Sequence, residues 1–239
     1  MIKLLRQSIF LALDARQTSC YFLPVFLILV LASCRSEDPD YFPLEEGHWR
    51  EYQETLVIRD ESHTRRRIVR NLQAVIVEDK KLFVQESQGQ DREFFSVMSE
   101  GVFRVDPEKN KSELILPLPP DKEDSWSLNS RLGVIESRTF ARRDRILTKA
   151  IPITLTYSVI STDEDVVVKA GHFRHCLKVK GSGFTIVKVD RGNGLAEVKV
   201  ESTDWYAPGK GLIKTERTER SESTFLKPGF YTLELLNYH

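Results

Sequence analysis

The residue whose surroundings point most directly to chemistry is Cys34, which ends the segment Leu31-Ala32-Ser33-Cys34. A branched apolar residue and two small residues before a cysteine form the pattern of a bacterial lipobox. In that pattern the thiol receives a diacylglyceryl group, and the chain is cut just before the cysteine. Acyl chains such as palmitate then hold the protein on a membrane, because each buried methylene contributes about 0.8 kcal/mol. We therefore predict that Cys34 is lipidated.

The residues before Cys34 have the composition of the leader that this processing requires. Lys3, Arg6 and Arg16 make the beginning of the chain basic, and residues 21–30 form an uncharged, apolar run. An apolar core of about a dozen residues is too short for a membrane-spanning helix, which needs roughly 20. Residues 1–33 are therefore predicted to be a lipoprotein signal peptide.

The predicted cleavage divides the rest of the chain into two parts. Residues 34–40 form a short lipidated tether, and residues 41–239 form a single β-rich domain. Arg35 stands where an aspartate would favour retention in the inner membrane. The sequence thus predicts an anchor in the outer membrane, with the domain facing the periplasm.

His172, His175 and Cys176 are the next residues with chemical potential, since all three side-chain types bind zinc. In a strand, side chains 172 and 175 would point to opposite faces. No motif surrounds the other histidines, so we predict no metal and no cofactor. Cys176, between apolar neighbours, is expected to be a buried thiol.

Acidic residues are numerous but show no spacing that indicates catalysis. Asp163-Glu164-Asp165 lacks the spaced oxygen ligands of a calcium loop, and is predicted to be a solvated turn. Asp106 and Asp190 are examples of scattered acids that a hydrolase could use, and nothing distinguishes them from the others. We therefore predict no catalytic residue and a protein that is not an enzyme.

The charge of the mature chain excludes one broad class of partner. The leader takes three of the 35 basic residues and one of the 35 acidic residues. This leaves 32 basic against 34 acidic residues, a net charge of −2. Non-specific nucleic-acid binding needs a basic field, so no nucleic-acid partner is expected. Clusters such as Arg65-Arg66-Arg67 and Arg142-Arg143-Asp144-Arg145 could form a patch for anionic lipid, but they are more typical of solvated strand ends.

The mature chain consists of short β-branched and aromatic segments at intervals of about ten residues, punctuated by Gly and Pro. This pattern predicts an all-β, mainly antiparallel fold: a single curved sheet, half-barrel or barrel. Few and short helices are expected, the best candidate being Ser137–Arg145. Leu132–Phe140 is predicted to contain a strand. Gly181-Ser182-Gly183 and Gly192-Asn193-Gly194 are predicted to be turns, as is Pro208-Gly209-Lys210-Gly211.

Several segments together resemble a family of bacterial lipoproteins often labelled TapB-like. They include Tyr41-Phe42-Pro43-Leu44 followed by Gly47 and Trp49, and Trp205-Tyr206-Ala207-Pro208-Gly209 followed by Gly211. The resemblance covers roughly residues 41–215. It implies a curved antiparallel sheet exported as a lipoprotein, and it implies neither an activity nor catalytic residues.

Two classes of function remain open. The first is a non-enzymatic envelope lipoprotein that binds a protein partner or an apolar ligand. Trp49, Trp126 and Trp205 could line its ligand cavity, although buried indoles more often fill cores. A sharper form is a lipid or lipoprotein carrier of the LolA or LolB type, by analogy of fold alone. The competing class is an envelope hydrolase with unidentified acidic residues.

Overall fold

The computed structural model describes residues 39–58, 61–88, 92–137, 151–188 and 194–239. The predicted leader and Cys34 lie outside these residues, as does most of the helix candidate that begins at Ser137. The described residues contain no helix, and therefore no helix long and apolar enough to cross a membrane. Ser137 itself lies in a strand. The all-β prediction is thus confirmed.

Fourteen strands are present in the described part of the chain. In chain order they are β1 (Trp49–Ile58), β2 (Glu61–Val77), β3 (Lys80–Ser87), β4 (Glu93–Met98), β5 (Gly101–Asp106), β6 (Lys111–Pro117), β7 (Ser125–Arg131), β8 (Glu136–Ser137), β9 (Pro152–Val168), β10 (Gly171–Lys188), β11 (Leu195–Ala207), β12 (Gly211–Arg220), β13 (Leu226–Lys227) and β14 (Gly229–Tyr238).

Twelve of these strands form one antiparallel sheet in the order β6-β5-β4-β3-β2-β1-β14-β12-β11-β10-β9-β7. The sheet curls until it is nearly closed. Its outer strands, β6 and β7, approach each other without a ladder. The backbone N–H of Asn129 on β7 donates to the Glu113 carboxylate on β6, at 2.5 Å. We call this junction the seam. The two remaining strands, β8 and β13, pair with each other.

Pro39–His239 forms a compact unit with its own hydrophobic core. The largest cluster joins strands β7, β9, β10 and β11, and Leu155, Leu177 and Val198 in it have no exposed surface. A second cluster includes Cys176, Trp205 and Ile213, and a third surrounds Phe95. Since these clusters are built from residues after Pro39, we expect the secreted domain, residues 35–239, to fold without the leader.

The long hairpin of β9 and β10 differs from the sequence prediction. Gly181 and Gly183 were expected in a turn, but both lie inside β10. A Cβ on Gly181 would come within 2.5 to 2.8 Å of the Tyr157 ring, and one on Gly183 would meet the Thr154 carbonyl oxygen. These glycines let a neighbouring strand approach closely. Asp163-Glu164-Asp165 likewise lies within β9 rather than in a turn.

The segment after β7 also departs from the expected strand at Leu132–Phe140. Regular pairing stops at Arg131, and only Glu136–Ser137 pairs again. Leu132, Val134 and Ile135 are buried instead. Their backbone leaves the ladder because Glu219 on β12 binds the N–H groups of residues 133–135. A side chain therefore replaces the neighbouring strand as hydrogen-bond partner.

The turn predicted at Pro208-Gly209-Lys210-Gly211 is confirmed, whereas the one predicted at Gly192-Asn193-Gly194 lies largely outside the described residues. Glu78 and Asp79 have positive φ between β2 and β3, and Gly209 and Gly211 have positive φ between β11 and β12. Glycine accepts this backbone conformation without a steric penalty. These turns fix the register of the strands that carry the cavity described below.

Candidate functional site

The structure does not gather the three tryptophans proposed as cavity residues. Trp126 stacks on Tyr157 in the largest core cluster, with ring centroids 5.6 Å apart. Trp205 belongs to the second cluster, and its indole N–H donates to Glu164 at 3.3 Å. Trp49 lies beside the chain end, where its backbone pairs with His239. Their part in ligand binding stays a prediction.

The residues considered for zinc form separate pairs. His172 contacts Asp165 at 3.3 Å, and His175 contacts Asp163 at 2.7 Å. Cys176 is fully buried, and burial raises the pKa of its thiol to about 11. Such a thiol is poorly ionised at neutral pH.

Two further expectations concern acids and metals. Asp106 forms an ion pair with Lys109 at 2.6 Å, and Asp190 lies outside the described residues. Across the ranges that the structure describes, no group of three or more His, Cys, Asp or Glu side chains is placed to hold a metal ion.

A cavity of about 470 Å³, which we call the end cavity, lies in the described part of the chain where β1 and β12 end and β2 and β14 begin. Its walls come from β1, β2, β12, β14 and the segment that follows β7. Volumes of roughly 300 to 1,000 Å³ are typical of small-molecule sites. The lining residues are Glu54, Leu56, His63, Thr64, Arg65, Arg131, Gly133, Val134, Arg217, Glu219 and Tyr231.

Strand pairing explains why these side chains meet. Glu54 is opposite Arg65 on β2 and Leu233 on β14, and Leu56 is opposite Tyr231. Directly opposed residues share a face of the sheet. Arg217 is opposite Tyr231 in the next ladder. The end cavity is therefore built on ladders rather than on loops, which holds its polar groups in fixed positions.

Glu54 is a buried carboxylate surrounded by donors. Arg65 and Arg67 form ion pairs with it, the latter at 3.3 Å, and the Tyr231 hydroxyl donates to it at 3.0 Å. Burial raises the pKa of Glu54. Hydrogen bonds from Arg65 and Tyr231 and the charges of Arg65 and Arg67 together lower this pKa by more than burial raises it. The net result is a lowered pKa. Glu54 therefore remains ionised at neutral pH.

Glu219 is a second carboxylate in the same cavity and has no exposed surface. It accepts hydrogen bonds from the backbone N–H groups of Gly133, Val134 and Ile135, at 2.9 to 3.3 Å. Arg217 donates to it through Nε at 3.0 Å. Both oxygens are thus engaged. Glu219 fixes the backbone at residues 133–135, which forms one wall of the end cavity.

Arg131, the last residue of β7, also lines the end cavity. Its carbonyl oxygen accepts a hydrogen bond from Arg217 at 2.8 Å, which fixes its backbone. Trp126, Leu128 and Ser130 are the more buried, alternate residues of β7, so the exposed Arg131 side chain lies on the opposite face of the strand. Arg131 therefore contributes its backbone to the wall.

A smaller space of about 210 Å³, the inner cavity, lies deeper between the strands. Arg67 lines the inner cavity, and Glu54 lines the end cavity. The Glu54–Arg67 ion pair therefore lies between the two cavities. Leu128 on β7 and Ile115 on β6 also line the inner cavity, which places it under the seam.

A third buried carboxylate, Asp204, lies in the core away from both cavities. It accepts a 2.6 Å hydrogen bond from Thr215 and another from the Tyr157 hydroxyl. Burial raises the pKa of Asp204 to about 6, because these hydrogen bonds and the charge of Arg217 offset only part of the desolvation. Asp204 is expected to titrate between the pKa of a free aspartate and neutral pH.

This titration predicts a stability that falls as the pH rises. The unfolded chain releases the Asp204 proton near pH 3.8 and the folded chain near pH 6, so the folded state loses a stabilising proton across this interval. Between pH 4.5 and pH 7 we expect Asp204 to lower the free energy of unfolding by about 2 kcal/mol. Urea unfolding at both pH values should show this loss in the wild type and not in Asp204→Asn.

The half-exposed Glu216 provides the control for this comparison. Glu216→Gln should keep the wild-type difference between the two pH values. If Asp204→Asn shows the same pH dependence as the wild type, Asp204 does not carry the effect.

Sequence reasoning missed Glu54, Glu219 and Arg131 as site residues. One signal was available for Glu54. Tyr52, Glu54 and Leu56 are alternate residues of β1, so their side chains lie on the same face of the strand. Glu54 therefore shares the face on which Tyr52 is buried. The backbone N–H groups that Glu219 binds are 84 to 86 residues away, and no local pattern indicates them.

Comparisons with known proteins yield two structural similarities. The first is to a Bacteroides fragilis protein described as exported and as having a YmcC-like fold. The two structures align with a TM-score of 0.42 and 14% sequence identity, over 84% of this chain and 99% of that chain. The second is to a Parabacteroides distasonis protein described as a lipoprotein. The alignment has a TM-score of 0.48 and 13% sequence identity, and it covers 85% of this chain and 100% of that chain. No family model and no curated protein matches the chain. The resemblance to TapB-like lipoproteins stays a prediction.

Proposed function

We propose that this chain is a lipid-anchored protein of the bacterial envelope that binds an amphipathic ligand in the end cavity and does not turn it over. The lipobox at Cys34 supports the lipid anchor. We place this anchor in the outer membrane, with the domain facing the periplasm. A protein partner's apolar segment would be the alternative occupant.

The observation that carries the binding proposal is the mixed character of the end cavity. Leu56 and Val134 and the Tyr231 ring offer apolar surface, while arginines surround it. A cavity with apolar walls and a few fixed polar groups is typical of ligand sites.

The state of the carboxylates favours binding over hydrolysis. Most glycosidases need one carboxyl group with a raised pKa, which donates a proton to the leaving group. Glu54 has a lowered pKa, and Glu219 accepts hydrogen bonds on both oxygens. Both carboxylates therefore organise the arginines and the backbone, a role suited to a preformed binding site.

A bulky side chain in the end cavity should prevent binding. We expect the secreted domain to bind a fluorescent fatty acid with a dissociation constant near micromolar, about 8 kcal/mol of binding free energy. Leu56→Trp should weaken this binding at least about tenfold, because the indole occupies the volume that the ligand needs. Fluorescence titration measures both values.

Val57→Trp is the matched control, since residue 57 is adjacent in β1 and points to the opposite face. It should leave the affinity unchanged. Absence of binding for several chain lengths by a domain with a folded β spectrum would refute the ligand proposal. Equal binding by wild type and Leu56→Trp would place the ligand elsewhere.

A further inference from the structure

We infer that the inner cavity is a second binding site, which takes a small organic carboxylate and holds its charged group against the guanidinium of Arg50. The site is separate from the end cavity and does not depend on the ligand proposed there. Its basis is a buried arginine on the cavity wall that no carboxylate of the described residues neutralises.

The strand ladders place the Arg50 side chain, and not only its backbone, on the wall of the inner cavity. Arg50 and Tyr52 are alternate, buried residues of β1, and their partners on β2 are Val69 and Arg67. All four residues line the inner cavity, and directly opposed residues share a face of the sheet. The ladder between β1 and β2 has no bulge. The face that carries the Tyr52 side chain therefore also carries that of Arg50.

A shared hydrogen-bond acceptor fixes the position of the Arg50 guanidinium. Its Nη2 donates to Asn71 Oδ1 at 3.0 Å, and Nε2 of Gln85 donates to the same oxygen at 3.1 Å. The Asn71 amide is itself held, because its Nδ2 donates to the Pro43 carbonyl oxygen at 3.0 Å. Gln85 lines the inner cavity. The guanidinium therefore lies next to the Gln85 amide, at the border of the cavity.

Arg50 carries a charge that no carboxylate of the described residues neutralises. The residue is 6% exposed, and its Nε–H is buried without an acceptor. The carboxylates of its own strand, Glu51 and Glu54, pair with arginines of β2 instead. Glu93, a carboxylate on the wall of the inner cavity, pairs with Arg104 at 3.3 Å. A buried cation without a counter-ion is costly, and an anion in the adjoining cavity would reduce this cost.

The charge of Arg50 favours a carboxylate over a phosphate. A carboxylate has one negative charge and balances the single guanidinium, whereas a phosphate ester has close to two at neutral pH. Arg50 donates to Asn71 and to the Lys210 carbonyl oxygen, which engages two of its five N–H groups. The remaining N–H groups can hold a carboxylate through charge-assisted hydrogen bonds.

The size and the lining of the inner cavity define the rest of the ligand. Its volume of about 210 Å³ equals that of about seven water molecules at roughly 30 Å³ each, which suits an acid of about six carbons. Phe42, Leu128 and Leu233 are among the apolar side chains of the wall. They would surround the hydrocarbon part of the ligand.

The seam gives such a ligand a route to the inner cavity. Leu128 on β7 and Ile115 on β6 line the cavity, and these two strands share no ladder. The Asn129 N–H joins them by donating to the Glu113 carboxylate. The strands can therefore separate without breaking a backbone ladder.

Calorimetric titration of the secreted domain at pH 7 with hexanoate, hexanamide and hexylammonium tests this site. Hexanamide has the shape of hexanoate without its charge, and hexylammonium has the opposite charge. Hexanoate should bind at least about tenfold more tightly than hexanamide, because its charge neutralises Arg50, and hexylammonium should bind most weakly. Equal affinities for hexanoate and hexanamide, or no binding of hexanoate, would overturn the inference.

Substitutions at two positions of the wall locate the bound carboxylate. Arg50→Met should abolish the preference for hexanoate over hexanamide, and Arg50→Lys should retain part of it, because the charge remains without the planar donors. Leu128→Trp should weaken hexanoate binding at least about tenfold, because the indole fills the inner cavity. This variant keeps the site testable if the Arg50 variants do not fold.

Arg70→Met and Ser127→Trp are the matched controls. Both residues are exposed, and each is adjacent to a residue of the cavity wall but on the opposite face of its strand. Both variants should bind hexanoate like the wild type. If Leu128→Trp keeps the wild-type affinity, or if folded Arg50→Met keeps the preference for hexanoate, the carboxylate site in the inner cavity is wrong. The ligand of the end cavity, which Leu56→Trp tests, would be unaffected.

Discussion

Replacing Glu219 with alanine should lower the free energy of unfolding of the secreted domain by about 3 to 5 kcal/mol. The fully buried carboxylate accepts from three consecutive backbone N–H groups and from Arg217. Without it, a largely buried guanidinium and several backbone donors lose their partner, and a buried donor without a partner is costly. Urea denaturation followed by far-ultraviolet circular dichroism measures the change.

Glu216→Ala on the same strand is the control, and its effect should stay within about 0.5 kcal/mol because surface ion pairs contribute little. Glu219→Gln should fall between the two, since its amide oxygen can still accept some of the N–H groups. A loss below about 1 kcal/mol in Glu219→Ala would show that residues 133–135 are held by other contacts.

Replacing Cys34 with serine should abolish the lipidation and the cleavage of the full chain. Serine lacks the thiol to which the diacylglyceryl group is attached, and lipidation precedes cleavage in lipobox processing. We therefore expect an uncut precursor in the envelope fraction, without the increase in mass that acyl chains give. Immunoblotting shows the precursor, and mass spectrometry of the purified chain shows the acyl groups.

Cys20→Ser, a change within the predicted leader, provides the control and should be processed and lipidated like the wild type. Processing of Cys34→Ser at the wild-type rate would mean that an ordinary secretory signal precedes the domain. In that case the membrane anchor would be lost from the proposed function, while the cavity and its ligand would be unaffected.

The fold class was predictable because alternation in the strands is a local property. Phe94-Phe95-Ser96-Val97 and Val102-Phe103-Arg104-Val105, separated by Glu100-Gly101, have the sequence pattern of a hairpin, and β4 and β5 pair there. The turn expected at Gly181-Ser182-Gly183 was wrong for a non-local reason: the glycines accommodate Tyr157 and Thr154 from β9. Composition alone cannot distinguish a glycine that permits a turn from one that permits close packing.

The candidate site was less predictable than the fold. Tryptophans attracted attention because of their size, yet Trp126 and Trp205 lie in separate core clusters. The end cavity depends on Glu219 meeting the segment after β7, and on Arg217 donating to the Arg131 carbonyl oxygen. Both follow from the strand order, which joins parts of the chain far apart in sequence.

The strand order also has a consequence for how the chain acquires its structure. The sheet consists of two groups of strands, β1 to β6 in one and β7, β9 to β12 and β14 in the other, joined by the ladder between β1 and β14. Since synthesis proceeds from the N-terminus, one edge of β1 lacks its partner until the final residues, up to Tyr238, have been made. An unpaired edge is a template for aggregation. Pairing of the ten-residue strand β14 with β1 therefore covers this edge and completes the sheet.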